Sequence, residues 1–292
     1  MDMNAQHRTG ILLLIGATLA WSTAGLFARA IQLDVASLVF WRGLFGAAGL
    51  IGVLVWMKGR AGLRDFGRLG PMGLLYSFVS CAGILFFIGA LKGTTIAHVA
   101  IIYATLPFLA GAIGWIALRE RPDKAAIFAA LVALGGSAYM VGVSGDGQFW
   151  GDLMAVGLVI SMAVMIVIAR ARPNLPTMAA GALSAIWAPI LCIPFVSVWV
   201  PDPQNFALIA GFGLLNTTVG FAPFIYGSRF LPPTETALIS ALEAPMTPLW
   251  VWLVFAETPT LPTLIGGGLV MAAVLGHILW QSKNLTTPPV PL

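Results

Sequence analysis

Charge is scarce in this sequence. Of its 292 residues only 9% are Asp, Glu, Lys or Arg and 59% are hydrophobic, with a mean hydropathy of +0.94. A soluble domain carries roughly 25% charged residues. A chain this poor in charge cannot coat its surface in water, so lipid must surround it. Cysteine is nearly absent. Cys81 and Cys192 both fall within apolar runs, read as small buried side chains, and suggest neither a disulfide framework nor a metal site. The three histidines, His7, His98 and His277, lie on distant segments. A membrane-embedded enzyme would need His, Asp and Glu clustered within reach of one another, and no such cluster can be read. No G-x-x-x-x-G-K-[ST] loop is present, so ATP does not drive this protein directly; no cofactor is expected.

What the sequence has in abundance is long apolar runs. About 20 apolar residues span the hydrocarbon of a bilayer. Ten runs qualify, at about 9–30, 35–56, 69–91, 95–118, 124–143, 151–170, 176–200, 205–229, 234–255 and 260–281. They are separated by a polar link from Lys58 to Arg68, a charged turn from Arg119 to Lys124, a Gly/Asp loop from Ser144 to Gln148, and breaks at Pro173, Pro176, Pro201, Pro203, Pro232, Pro233 and Pro259. If the N-terminus is inside, the cytoplasmic ends hold Arg8, Lys58, Arg60, Arg64, Arg68, Arg119, Arg121, Lys124, Arg170, Arg172, Arg229 and Lys283. The outer ends hold Arg29 and Lys92. This imbalance obeys the positive-inside rule and places both termini in the cytoplasm. It also accounts for the net charge of +4 without nucleic acid, because the basic residues sit in short loops at the membrane face. Arg8, the first apolar run and Ala28-Arg29-Ala30 imitate a signal peptide. The run is too long for one, and the first helix is expected to be retained. Residues 284–292 are expected to form a disordered tail.

The chain repeats itself. Ala28-Arg29-Ala30 matches Ala169-Arg170-Ala171 at an offset of 141, and Phe87 to Lys92 resembles Ile225 to Phe230 at 138. Pro107 matches Pro245 at 138, and Glu120-Arg121-Pro122 matches Glu257-Thr258-Pro259 at 137. Four matches in one order, with so little drift, indicate duplication. The expected organisation is a first five-helix repeat over 1–146 and a second over 147–283. Five is odd, so the second repeat enters the membrane from the opposite face. Inverted repeats are the architecture of many secondary transporters, with the solute site between the halves near the midplane.

Polar groups inside the spans mark that site. Glu243 lies about nine residues into span 9, near mid-bilayer, where a carboxylate is expensive and a functional candidate. It either serves the solute or a proton, or stands protonated and bonded to a carbonyl freed by a nearby proline. Thr236, Ser240, Thr247 and Trp250 lie at helical spacing from it, a polar stripe consistent with a cavity wall. At offset 138 Glu243 maps to Thr105 and Thr236 to His98, which gives span 4 a matching face with Tyr103 nearby. Pro107, Pro223 and Pro245 predict kinks that free the carbonyls of Tyr103, Val219 and Ala241. Asn216-Thr217-Thr218 lies in span 8. Tyr76, Ser80 and Gly83 share a face of span 3, and Trp21 in span 1 has Met162 as its counterpart in span 6. Apolar and aromatic walls with a few polar groups suit a small organic solute. Trp41, Trp56, Trp150, Trp199 and Trp280 lie near span ends and read as interfacial anchors. Arg42, about seven residues into span 2, either snorkels outward, pairs with an acid, or attracts an anionic group of the solute. Gly43, Gly46, Gly49 and Gly52 read as a close-packing face, as do Gly135-Gly136 and Gly266-Gly267-Gly268, within one chain or between copies. Glu120 and Glu257 are expected to cap or brace loops.

These duplicated segments resemble the EamA group of the drug/metabolite transporter superfamily. The resemblance is carried by Gly89-Ala90-Leu91, Pro107 and Glu120-Arg121-Pro122, with Gly227-Ser228, Pro245 and Glu257-Thr258-Pro259 as their counterparts. Thr258 departs by replacing a basic residue. Within that family the chain is most similar to exporters of aromatic amino acids of the YddG type. The resemblance implies a basket-like all-α fold, a central cavity lined mainly by spans 1, 3, 4, 6, 8 and 9, alternating access, and export of amino acids and related metabolites. A nucleobase or a cationic drug would also fit the aromatic walls, and a channel or scaffold is the rival from another class. The expected solute-binding set is Trp21, Tyr76, Ser80, His98, Tyr103, Thr105, Met162, Asn216, Ser240, Glu243 and Trp250.

Overall fold

A computed structural model describes residues 3–94, 96–141, 149–255 and 260–284. Apart from short connections they are helical, as apolar runs without water must be, because only a helix satisfies each backbone group within its own segment. Among the described residues, nine helical segments are long and apolar enough to cross a membrane, and a shorter apolar helix runs over Lys124–Tyr139. The protein is an all-α, multi-span membrane protein. Its outer surface agrees with that: large apolar side chains such as Trp56, Ile116 and Phe149 stand exposed, and in water such a face would be a liability. The expected loop over 144–148, the Glu257-Thr258-Pro259 motif and the junction at 146/147 lie outside the described residues. So does the expected tail from 285 onward; the last helix itself runs through Asn284.

Span 1 is α1 (Met3–Ser22) and α2 (Ala24–Ala30), broken at Thr23. Span 2 is α3 (Val35–Lys58). Its polar sequel, read as a link, winds into a 3-10 helix (Gly59–Arg68), stapled by Lys58 Nζ to Asp65 Oδ2 at 2.6 Å. Gly59 and Gly70 flank it with φ of 57° and 58°, which glycine adopts without strain. Span 3 is α4 (Gly70–Gly93). Span 4 is split into α5 (Ile96–Tyr103) and α6 (Leu106–Leu118), and span 5 is α7 (Lys124–Val141). Span 6 is α8 (Phe149–Ala171) and span 7 is α9 (Thr177–Cys192) with a short 3-10 turn to Phe195, well short of residue 200. Span 8 is α10 (Pro203–Phe212), a π-helical stretch (Gly213–Gly220) and α11 (Phe221–Gly227). Span 9 is α12 (Pro233–Ser240) and α13 (Glu243–Phe255), and span 10 is α14 (Leu261–Asn284).

Of the three prolines expected to kink continuous helices, Pro107 and Pro245 instead follow outright breaks, in the first turns of α6 and α13. A proline there lacks only an N–H that would have no partner anyway. Pro223 lies within the unbroken helical run of span 8, three residues past the π stretch. The carbonyl of Ala241 is not left free: the Ala244 N–H takes it at 3.2 Å. Pro189 likewise lies inside a helix, α9.

Contacts between the chain's two halves follow a closed pattern. Span 2 packs on 7, 4 on 9, and 5 on 10. Spans 3 and 6 pair as do 8 and 1, 3 and 7 as do 8 and 2, and 4 and 6 as do 9 and 1. Small residues permit the closest of these. A Cβ on Gly43 would meet Pro189, one on Gly46 Thr217, and one on Gly49 the Thr218 hydroxyl, whereas Gly52 faces open space. Gly136 of α7 lies against the Gly266 backbone of α14, so these glycine faces serve packing within the chain.

Side-chain contacts tie each end of the bundle together. At one end Arg170 pairs with Glu120 at 3.3 Å and donates to the Arg229 carbonyl, while Arg229 donates to the Leu175 carbonyl at 2.6 Å and to the Thr177 hydroxyl. Glu120 thus braces a loop. His7 Nε2 lies 3.2 Å from Glu235 Oε1, within ion-pair range but off the hydrogen-bonding direction. His277 lines the same small pocket as Glu235. Histidines far apart in sequence, one from the first helix and one from the last, therefore meet around a buried carboxylate at one end. At the other end Asp34 caps α3 by accepting from the Ser37 N–H, and the Ser197 hydroxyl donates to it. Partial burial pushes the Asp34 carboxyl up, but the bonds from Ser197 and Ser37 outweigh this and hold it below its usual range.

Candidate functional site

A cavity of about 370 Å³ lies among the spans. Of the eleven expected solute-binding residues, Trp21, Ser80, Tyr103, Met162, Asn216 and Glu243 line it. Spans 2, 7 and 10 also contribute, through Arg42, Ser184 and Thr263. The lining reaches Leu91, Val99 and Thr263, at the end away from the first and last helices' termini. Toward the other end the space is filled by buried Leu14, Tyr76, Ile166, Phe224 and Leu238.

Four expected residues stand elsewhere. Tyr76 is fully buried in the core of spans 2, 3, 6 and 7 with its hydroxyl unpartnered. Thr105 caps the break in span 4, donating to the Ile102 carbonyl at 2.6 Å. Ser240 is buried and donates to the Thr236 carbonyl at 3.0 Å. Trp250 Nε1 donates to Ser22 Oγ at 2.7 Å. The expected stripe assumed one helix from Thr236 to Trp250. The break at Ala241–Leu242 re-aims everything after it, so Thr247 reaches the cavity while Thr236 and Ser240 pack in the core. The His98 side chain lies outside the described residues.

The cavity wall is built around the break in span 1. Breaking a helix frees carbonyls, and in lipid each must find a donor. The Ala20 carbonyl takes the Asn216 amide at 3.0 Å and the Thr23 hydroxyl at 2.6 Å. The Thr247 hydroxyl reaches the Ser22 carbonyl at 3.2 Å, its one proton shared with the Glu243 carbonyl at 3.0 Å. In return Trp21 Nε1 donates to the Asn216 backbone carbonyl at 2.9 Å, a carbonyl within the π stretch. Local π turns are frequent where a helix serves a site. Trp21 is thereby fixed beside Phe224, ring centroids 4.8 Å apart.

Other polar groups keep capacity for a ligand. Ser184 Oγ donates to the Gly181 carbonyl at 2.7 Å, so the 2.8 Å contact between Ser80 and Ser184 makes Ser80 the donor. Ser80's lone pairs then remain as acceptors. Glu243 begins α13 and accepts a bond at its backbone carbonyl from Thr247. Arg42 neither snorkels nor pairs with an acid. It is 6% exposed, its guanidinium stacks 4.6 Å from the Phe212 ring, and no ion pair reaches it among the described residues. Sequence reading left this side chain with three alternatives because its surroundings come from spans 3 and 8. Phe87 and Phe221, on those same spans, were missed as cavity walls for want of any local signal. Among the described residues no group of His, Cys, Asp and Glu is placed to hold a metal.

A bundle of apolar helices broken around an internal, mixed-polarity cavity defines a membrane carrier. The chain belongs to the EamA-like transporter family, whose model matches it twice, over residues 8–142 and 149–279. With that it belongs to the drug/metabolite transporter superfamily, and it is a secondary transporter of small solutes rather than an enzyme. It is 25% identical over 285 residues to an uncharacterized transporter of Archaeoglobus fulgidus, covering 94% of this chain and 97% of that one. It is also 25% identical over 276 residues to the uncharacterized transporter YwfM of Bacillus subtilis, covering 90% and 92%. A crystal structure at 19% identity shares the fold with a TM-score of 0.80 over 93% of this chain and 98% of the other.

Proposed function

We propose that this chain exports amino acids, aromatic ones foremost, and related small metabolites across the inner membrane of a bacterium by alternating access. The carrying observation is the cavity. Trp21, Phe87, Tyr103 and Phe221 offer aromatic surfaces, and Ser80, Glu243 and Arg42 offer polar groups among them. Such a mixture favours a solute with one flat apolar part and one polar head. Glu243 is the cavity group suited to exchanging a proton during the cycle.

Alternating access is read from two inverted five-helix repeats in a basket-like arrangement, 1–146 and 147–283. The double family match supports this duplication, as does a contact pattern that survives exchange of the halves. So do breaks at nearly matching places in spans 4 and 9. Ten crossings return the C-terminus to the side of the N-terminus, and the basic residues put that side in the cytoplasm. On this reading the cavity reaches outward and is sealed toward the cytoplasm.

A counterflow screen with purified protein in proteoliposomes tests the function across aromatic and aliphatic amino acids, nucleobases and organic cations. Saturable counterflow of phenylalanine, tyrosine or tryptophan is the expected result. Saturable counterflow of nucleobases or cations alone would overturn the substrate, and continuous unsaturable flux would overturn the carrier.

A further inference from the structure

We infer that Arg42 is the anchor for a carboxylate of the transported solute, so that this carrier selects molecules by their acid group. The inference rests on the reading of the cavity as the solute site and names the chemistry that site must recognise.

Arg42 lies in the outer part of α3 and lines the cavity. It is 6% exposed, and its Nε is buried with no hydrogen-bond partner. Its only described company is aromatic: the guanidinium carbon stands 4.6 Å from the Phe212 ring centroid and 5.9 Å from that of Phe87. Ring faces attract a cation but cannot accept its five N–H donors. A buried charge without a counter-ion is strongly unfavourable, and inside a membrane such a residue marks a solute or ion path. The aromatic clamp fixes the planar fork while leaving it free toward the cavity. A fork held this way matches a carboxylate with two parallel bonds, which an ammonium on a flexible stem would not do. The acid of the same cavity is Glu243. An α-amino acid fits between the two with its carboxylate on Arg42 and its ammonium toward Glu243 and the free lone pairs of Ser80.

The test uses the purified full chain and compares wild type, Arg42→Met and Arg42→Lys by ligand-induced thermal stabilisation. The probes are phenylalanine, 3-phenylpropionate, phenethylamine, a panel of other carboxylic acids with their amides, and sodium chloride. Wild type should bind acids at least about tenfold more tightly than the matching amides or amines. Arg42→Met should lose that preference while unfolding at a temperature no lower than wild type, since it removes an uncompensated charge. Arg42→Lys, which keeps a point charge but no fork, should retain the fold and bind acids more weakly than wild type. Acid binding by Arg42→Met within about twofold of wild type would overturn the inference. So would equal binding of phenethylamine and phenylalanine, failure of every acid to bind wild type, or an Arg42-dependent stabilisation given by chloride and not by carboxylates. If aromatic amino acids fail but another acid binds through Arg42, the proposed substrate falls and the anchor stands. If aromatic amino acids bind without Arg42, the reverse holds.

Discussion

Asn216 and Thr247 both donate to carbonyls freed at the break in span 1, and the two bonds differ in what is left behind when they are cut. The Ala20 carbonyl keeps the Thr23 hydroxyl at 2.6 Å and the Thr23 N–H at 3.3 Å after Asn216 is replaced. Asn216→Leu therefore removes one hydrogen bond without orphaning its acceptor, a loss of about 0.5–1.5 kcal/mol. The Ser22 carbonyl has the Thr247 hydroxyl as its described partner. Thr247→Val leaves that carbonyl unmet beside α13, a loss of about 1–3 kcal/mol. Denaturant titration of the two variants in detergent, read by pulse proteolysis, should rank Thr247→Val as the more damaging. Asn216→Leu should leave the KM of counterflow within about twofold, because its cavity amide works mainly to hold span 1. Unchanged stability together with a KM raised by about tenfold, the worth of one bond to the solute, would refute the reasoning and make Asn216 a reader of the substrate.

Further outcomes follow from packing and charge. Gly49→Ala should destabilise by about 1–3 kcal/mol through overpacking against Thr218, while Gly52→Ala, three residues on and facing open space, should be neutral or stabilise by up to about 1 kcal/mol; unfolding titrations separate the two. His7→Ala takes the neighbouring imidazole from the buried Glu235 and should destabilise more than Glu120→Gln, which at a partly exposed pair should cost at most about 1 kcal/mol. Asp34 is held below its usual range in the folded protein, so its stabilisation is complete above that range and is lost as the pH falls below it, through the lowered folded-state value. Asp34→Ala should remove about 1 kcal/mol of helix capping at pH 7 and less at pH 3, as measured by unfolding at both values. Glu243→Gln should abolish any pH dependence of counterflow while leaving the fold intact; unchanged transport and an unchanged pH profile would make Glu243 structural.

The membrane class and the succession of apolar helices were legible because they depend on composition and run length, which neighbours do not alter. Pro107 and Pro245, paired in the proposed duplication, each sit in the first turn after a break. The cavity was half legible. Trp21, Ser80, Tyr103, Asn216 and Glu243 line it, each a polar or aromatic group inside a span, and so does Met162, found as the counterpart of Trp21. Ser240 and Trp250 were misplaced because helical spacing was carried across a break that no local residue announces; the Pro245 signal pointed to a kink a turn later. Arg42 was visible as an anomaly, but its ring partner Phe212 lies on another span, and pairing across spans leaves no periodicity in the sequence. Glu235 escaped notice for the same reason, since its partner His7 comes from the far end of the chain.

The central claim is that one cavity receives the solute and opens to one face of the membrane at a time. With Cys81 and Cys192 replaced by alanine, Ser184→Cys places a single thiol in the cavity wall, and a membrane-impermeant thiol reagent is applied to either face of oriented proteoliposomes. The account predicts that a carried solute protects the thiol, and that an imposed solute gradient shifts its labelling from one face to the other. Labelling from both faces at once, untouched by solute, would contradict it.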